Sequence, residues 1–120
     1  MVPVINLNEK LARFHDHWSP KIIADLNDSH VKLVKLKGEF VWHHHAGEDE
    51  LFLVLKGRLT IELRDGTLSI GPGELVVIPR GVEHRPVAAE EVELMLVEPS
   101  RILHTGNVVN ERTVLELDRI

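Results

Sequence analysis

From residue 20 onward, short apolar runs alternate with tight polar breaks. The runs are KIIADL (21–26), VKLVKL (31–36), FVWHHH (40–45), LFLVL (51–55), LTIEL (59–63), LSI (68–70), LVVI (75–78) and VELMLV (92–97). All are rich in Val, Ile and Leu and have the length of strands. Between them stand Asn27-Asp28, Lys37-Gly38, Lys56-Gly57, Asp65-Gly66, Gly71-Pro72-Gly73 and Pro79-Arg80-Gly81, each a turn signal through its Gly, Pro or Asx residue. Such frequent turns leave little room for crossover helices, so the pattern predicts an all-β antiparallel sandwich or barrel.

The two ends read differently. NLNEKLARFHDHW offers Asn6 or Asn8 as an N-cap and places Leu7, Leu11 and Phe14 at helical spacing, which predicts one short helix ended by Ser19-Pro20. In the tail RILHTGNVVNERTVLELDRI, the segment TVLEL is either one more strand or an arm lying over the barrel or over a second subunit. In LFLVL, Leu51, Leu53 and Leu55 alternate with Phe52 and Val54, so both faces of that strand are apolar. The outer face needs a cover, either the N-terminal helix or a second copy in a homodimer, and we expect the homodimer.

With 120 residues, the chain has the size of one domain, residues 1–120. The absence of cysteine removes disulfides, thiolate metal sites and cysteine nucleophiles, leaving His, carboxylates and hydroxyls for chemistry. A formal charge of −5 and the lack of a Lys/Arg run argue against nucleic-acid binding. No apolar stretch has the length of a membrane span, and MVPVINLNEK lacks the features of a signal peptide, so a soluble cytoplasmic protein without membrane contact is expected.

The titratable groups in WHHHAGEDELFLVLKG change the picture. Residues two apart on a strand share a face, so His43 and His45 point one way and His44 the other. Glu50 opens the next strand beyond the AGED loop and faces the same interior. Farther on, GELVVIPRGVEHRP holds a strand, a Pro-Gly turn and His84. Three imidazoles and one carboxylate make a donor set for a single metal ion with coordination positions left open. The alternative is a metal-free network in which the histidines share protons with Glu50.

His43, His45, Glu50 and Gly57 form H-x-H-x4-E-x6-G; Gly73, Pro79, Gly81 and His84 form G-x5-P-x-G-x2-H. Together these resemble the two sequence motifs of the cupin superfamily, closely over residues 38 to 84 and in strand pattern over roughly 30 to 100. The resemblance implies a small antiparallel jelly-roll β-barrel, with a core over about residues 30–100 and the N-terminal helix and C-terminal arm packed on it. It implies His43, His45, Glu50 and His84 as ligands of a divalent transition metal: Fe, Mn, Zn, Ni or Cu. Two departures bear on strand entry and packing: Gly38 lies one residue nearer the first His than is usual, and Ala88 replaces the Asn that often closes the second motif. Because imidazoles must be unprotonated to bind, affinity should collapse as pH falls through about 6.5.

Several other residues have two readings. His44, with Phe40 and Trp42, is assigned to an outer packing or subunit surface in preference to a fourth imidazole ligand. His15, His17 and His30 are assigned to structural or solvent-facing roles. His104 is either a loop residue or a donor near the metal. Trp42 and Phe52 either line a ligand cavity or anchor the core or an interface. Arg80 and Arg85 flank the presumed mouth, as anion ligands or as solvated turn residues. Glu48, Asp49 and Glu83 are expected to face solvent.

The donor set, taken with the resemblance, points to a metal-dependent oxygenase or isomerase acting on a small-molecule substrate, with the acid/base residue unassigned. The alternative is a barrel that binds or senses a small metabolite without turnover. A third possibility is a barrel whose metal serves stability alone.

Overall fold

A computed structural model describes the whole chain except residues 102–105, 109–112 and 114–115. It contains one helix and eight strands among the described residues: α1 (Leu7–Leu11), β1 (Lys21–Leu26), β2 (Ser29–Glu39), β3 (Glu50–Lys56), β4 (Leu59–Leu63), β5 (Gly66–Ile70), β6 (Leu75–Ile78), β7 (His84–Pro99) and β8 (Asp118–Arg119).

The long strand β7 organises the jelly roll. Along one edge it pairs with β2 from Ser29↔Pro99 to Glu39↔Val87. Its other edge is divided, with β4 on the first part (Leu63↔His84 to Thr60↔Val87) and β3 on the last (Lys56↔Glu93 to Leu51↔Val97). β7 thereby passes from one layer to the other, and the main hydrogen-bonded order is β5-β4-β7-β2-β1-β8, with β6 on the free edge of β3. Among the described strands the hydrogen bonds do not close a ring. Between the layers lie Val34, Leu36, Phe52, Val54, Leu59, Ile61, Ala88, Val92, Leu94 and Leu96. Ala88 is fully buried there, so the departure from the usual Asn supplies a small apolar contact.

The turn chemistry acts where it was expected, with one exception. Gly57, Gly73 and Gly81 adopt positive φ in their turns, and Asn27 does so in the β1–β2 hairpin. Lys37-Gly38 is not a turn: β2 continues to Glu39, and Gly38 sits at a bulge in its pairing with β7.

The helix is shorter than the spacing predicts. Asn6 caps it by accepting from Glu9 N–H at 3.0 Å, yet it ends at Leu11. Buried Lys35 of β2 donates to the carbonyls of both Leu11 and Phe14 at 2.8 Å, taking acceptors that further helical turns would have used. Leu11 and Phe14 then pack on Leu33, with Leu55 and Met95 at the margin, so the helix covers part of the outer face of β3. The next strand over leaves Leu75 and Val77 exposed.

At the C-terminus, β8 lies parallel to β1, through Lys21↔Asp118 and Ile22↔Arg119, which breaks the otherwise antiparallel scheme. TVLEL falls partly outside the described residues; the strand begins just after it.

Candidate metal centre

The segment FVWHHH is not a continuous strand. Phe40 N–H donates to the Pro86 carbonyl at 3.0 Å, and His43 makes an isolated bridge to His84. The alternation around the triplet survives: His43 and His45 are buried, while His44 is half-exposed. Phe40 departs from the expected outward placement. It is buried and stacked on Trp18, with ring centroids 4.6 Å apart, because irregular backbone between residues 40 and 43 shifts the inward side.

Glu50 opens β3, and the Pro79-Arg80-Gly81 turn delivers His84. That turn is fastened to the histidine segment by Gly81 N–H donating to the His45 carbonyl at 2.8 Å. One donor atom from each of His43, His45, Glu50 and His84 lies within 4.8 Å of all the others, and all four residues are buried.

Hydrogen bonding fixes which ring atoms face inward. Nδ1 of His43 lies 2.9 Å from the Val41 carbonyl, and Nδ1 of His84 lies 3.0 Å from the Val82 carbonyl. A carbonyl oxygen only accepts, so each Nδ1 carries the hydrogen and each Nε2 offers a lone pair. His45 Nε2 and His84 Nε2 lie 3.3 and 3.5 Å from Glu50 Oε1, yet none of these three atoms has a hydrogen-bond partner among the described residues. Buried polar atoms left in this state cost on the order of 1–3 kcal/mol each. A divalent cation would satisfy them together, so the donor set fits a metal.

The electrostatics agree. Burial, followed by the neighbouring His84, lowers the His43 pKa to about 4, which keeps that imidazole neutral. Burial alone would raise Glu50, but its contacts with Glu98, His45 and His84 outweigh that and hold it well below the usual carboxylate range.

Glu98 escaped the sequence reading. It is 1% exposed, pairs with Lys32 Nζ at 2.8 Å and stands level with Glu50 across the β3–β7 pairing. Burial and the charge of Glu50 push it well above the ordinary range, against the pull of Lys32. A signal was available: Val92, Leu94 and Leu96 fill alternate inward positions of one strand, and Glu98 is the next in that series.

Beside the cluster lies a narrow cavity of about 30 Å³, whose walls include Trp18, Phe40, Phe52 and Leu94, with His43 and Glu50 at its polar end. Phe52 therefore lines the interior as one of its two readings had it. Trp42 does not; its ring lies under the Arg64 guanidinium at 3.8 Å. Arg80 is paired with Asp49 at 3.2 Å, and Arg85 with Glu62 and Glu39, so both mouth arginines already have carboxylate partners. Asp49 and Glu83 are exposed, whereas Glu48 is half-buried, 3.5 Å from Arg101. His15 is exposed and His17 pairs with Glu91 on the surface; His30, beside Asp25, is half-buried. His104 lies outside the described residues.

A second surface is in contact with the cluster. Asn107 N–H donates to the His44 carbonyl at 3.1 Å, and His44 N–H donates to Asn107 Oδ1 at 2.9 Å. This two-point clamp seats Gly106 directly on the edge of His43.

Fold and site together define a small β jelly roll with three histidines and a glutamate gathered inside. The chain belongs to the cupin family, whose cupin-domain model matches residues 30–100. A solved cupin-2 domain containing protein from Shewanella frigidimarina is 53% identical, with a TM-score of 0.79 over 80% of this chain and 94% of that one. Protein NMB1881 from Neisseria meningitidis is 34% identical, with a TM-score of 0.75 over 82% of this chain and all of its own. Among curated proteins, YdbB of Bacillus subtilis is 42% identical over 52% of this chain and 57% of its own length. The acireductone dioxygenase of the same organism is 29% identical over 62% of this chain and 45% of its own. The chain thus spans about half the length of the curated relatives it matches.

Proposed function

We propose that this cupin is a metal-dependent oxygenase acting on a small oxygen-bearing substrate such as a diketone or a phenol, with His43, His45, Glu50 and His84 as the ligands. The observation that carries the reading is the convergence on one point of buried Nε2 and Oε1 atoms that have no hydrogen-bond partner among the described residues. A divalent transition metal held there would supply Lewis acidity and, for a redox-active ion, a route to dioxygen chemistry.

The chain's own residues would do the rest. The Val41 and Val82 carbonyls hold two imidazoles in the ligating tautomer. Glu50 brings negative charge against the cation, and the apolar walls formed by Trp18, Phe40, Phe52 and Leu94 keep water away from one side. Likeness to acireductone dioxygenase supports an oxygenase. An isomerase needs a residue free to carry a proton, and the additional buried carboxyl beside the cluster, Glu98, is engaged by Lys32.

The same reading takes residues 1–120 as one unit and pairs it with a second copy. Leu75 and Val77 are 57% and 46% exposed, and they stand opposite Leu53 and Leu51 in an apolar strip that such a copy would cover. A light-scattering mass equal to one chain at micromolar concentration would contradict the dimer.

The test of function uses tag-free protein, since a histidine tag would itself carry metal. We expect about one equivalent of metal per chain, and oxygen uptake that depends on the metal and on a diketone or phenol. Saturable binding of those compounds without oxygen consumption would replace the oxygenase with a binding barrel. Less than about a tenth of an equivalent on reconstitution would remove the metal centre altogether.

A further inference from the structure

Glu50 is the one anionic member of the cluster, and a second buried carboxyl stands behind it. The β3–β7 register, with Leu51 opposite Val97, brings Glu50 level with Glu98, close enough that each carboxyl shifts the proton affinity of the other, Glu50 downward and Glu98 upward. On the far side, Lys32 of β2 reaches across to Glu98 Oε1 at 2.8 Å. The Lys32 and Glu98 side chains are both 0% exposed, so the pair faces no solvent.

A surface ion pair at this distance would call for no explanation. Complete burial of a lysine and a carboxyl group is unfavourable unless their remaining polar atoms are satisfied. Here Glu98 Oε2 has no hydrogen-bond partner among the described residues, and the buried carboxyl across the β3–β7 pairing is that of Glu50. Three elements of the sheet thus contribute to a single line: Lys32 on β2, Glu98 on β7 and Glu50 on β3. Hydrophobic residues would pack those inward positions without such a penalty, as Val34 and Leu36 do farther along β2 and Leu94 and Leu96 along β7.

We infer that Glu98, anchored by Lys32, is a positioning residue that fixes the orientation of the Glu50 carboxylate towards the three imidazoles and so sets both the affinity and the ligand geometry of the metal centre. The inference rests on the metal-site reading above. It adds two residues beyond the ligand set and assigns the buried ion pair a purpose that packing does not supply.

The experiment reads bound Co(II) in tag-free protein, by its visible absorption spectrum and by affinity in competition with a chelator. Glu98→Gln keeps a carbonyl for Lys32 and offers an amide N–H to Glu50, so its spectrum and affinity should stay close to those of the parent. The double variant K32M/E98L removes the ion pair without stranding a charge. It should melt cooperatively yet bind Co(II) about 10–100-fold more weakly, with a changed spectrum. Glu98→Asp keeps the Lys32 charge pair but draws the carboxyl back from Glu50, and it should shift affinity and spectrum in the same direction even if the double variant fails to fold. Parental spectrum and affinity in the aspartate variant, or in a folded double variant, overturn the positioning role while leaving the metal centre standing. If the parent itself takes up no Co(II), both fall together.

Discussion

His43 and His84 hold each other in place through their backbones: His43 N–H donates to the His84 carbonyl at 3.1 Å, and His84 N–H returns the bond to His43 at 2.9 Å. Their ring centroids stand 4.3 Å apart, although the two residues are 41 positions apart in the chain. The bridge makes two halves of the donor set a single rigid unit, so loss of either ring affects the centre more than loss of an outer partner would.

His84→Ala tests this directly. His84 is fully buried and its Nδ1 is tied to Val82, so the side chain is already ordered for ligation. We expect the variant to lose more metal affinity than the 10–100-fold typical of outer-shell changes, roughly three orders of magnitude. The check is chelator competition on tag-free protein. A loss of threefold or less would place His84 outside the ligand set.

The metal-free protein should be destabilised by mild acid through His43. Its folded pKa is about 4, below the ordinary imidazole value of 6.5. Between those values the unfolded chain binds a proton that the folded chain refuses, so stability falls as pH drops from about 6.5 to about 4. The full effect is roughly 3 kcal/mol from this group, by the usual conversion of pKa shift to free energy. Urea melts of the apo protein at several pH values measure it, and His43→Gln should flatten the slope in that window.

What the sequence displayed and what it concealed follow from the range of the forces involved. β1, β4 and β6 match their apolar runs residue for residue, because alternation and turn chemistry are local. The four clustered residues were legible because motif spacing and the alternation of His43 and His45 about His44 survive even though residues 40–45 form no continuous strand. The end of α1 was not, since it depends on Lys35 reaching from β2 to the carbonyls of Leu11 and Phe14. Lys32 and Glu98 were hidden for a related reason: a charged residue in a strand reads as solvent-facing until its register partner is known. Trp18 belongs with them, because only the assembled barrel gives it a place to insert.

Trp18 closes the apolar end of the interior cavity and should matter for stability. It stacks on Phe40 with ring planes 6° apart, its indole N–H donates to the Lys37 carbonyl at 2.8 Å, and its backbone sits at a φ of 59°. An L residue adopts that backbone only when surrounding contacts enforce it. Trp18→Ala removes the contacts and leaves a void, at a cost of about 3–5 kcal/mol. Trp18→Phe keeps the stack but not the hydrogen bond, and should lose roughly half as much. Equilibrium denaturation distinguishes the two, and near-neutral behaviour of the alanine variant would show that the indole is not a structural plug.

Gly106 offers a test of how closely the C-terminal segment is coupled to the centre. It adopts a φ of 61°, and a Cβ built there would collide with the His44 carbonyl oxygen and stand 2.8 Å from His43 Cδ2, the ring carbon next to Nε2. The obstructing atoms are backbone and a buried ring, neither of which yields easily. In Gly106→Ala, either the segment lifts and breaks the Asn107–His44 clamp, or the His43 ring is pushed from its place. The two outcomes separate by experiment. Lifting lowers the melting temperature of the apo protein and leaves metal affinity nearly intact, while ring displacement weakens metal binding about 10-fold or more, the range seen when a ligand's support is disturbed. Because the ring is held at Nδ1 by Val41 and Gly106 is held against it through the clamp at Asn107, we expect the segment to yield first, so that Asn107→Ala reproduces the stability loss of Gly106→Ala without adding to it in the double variant.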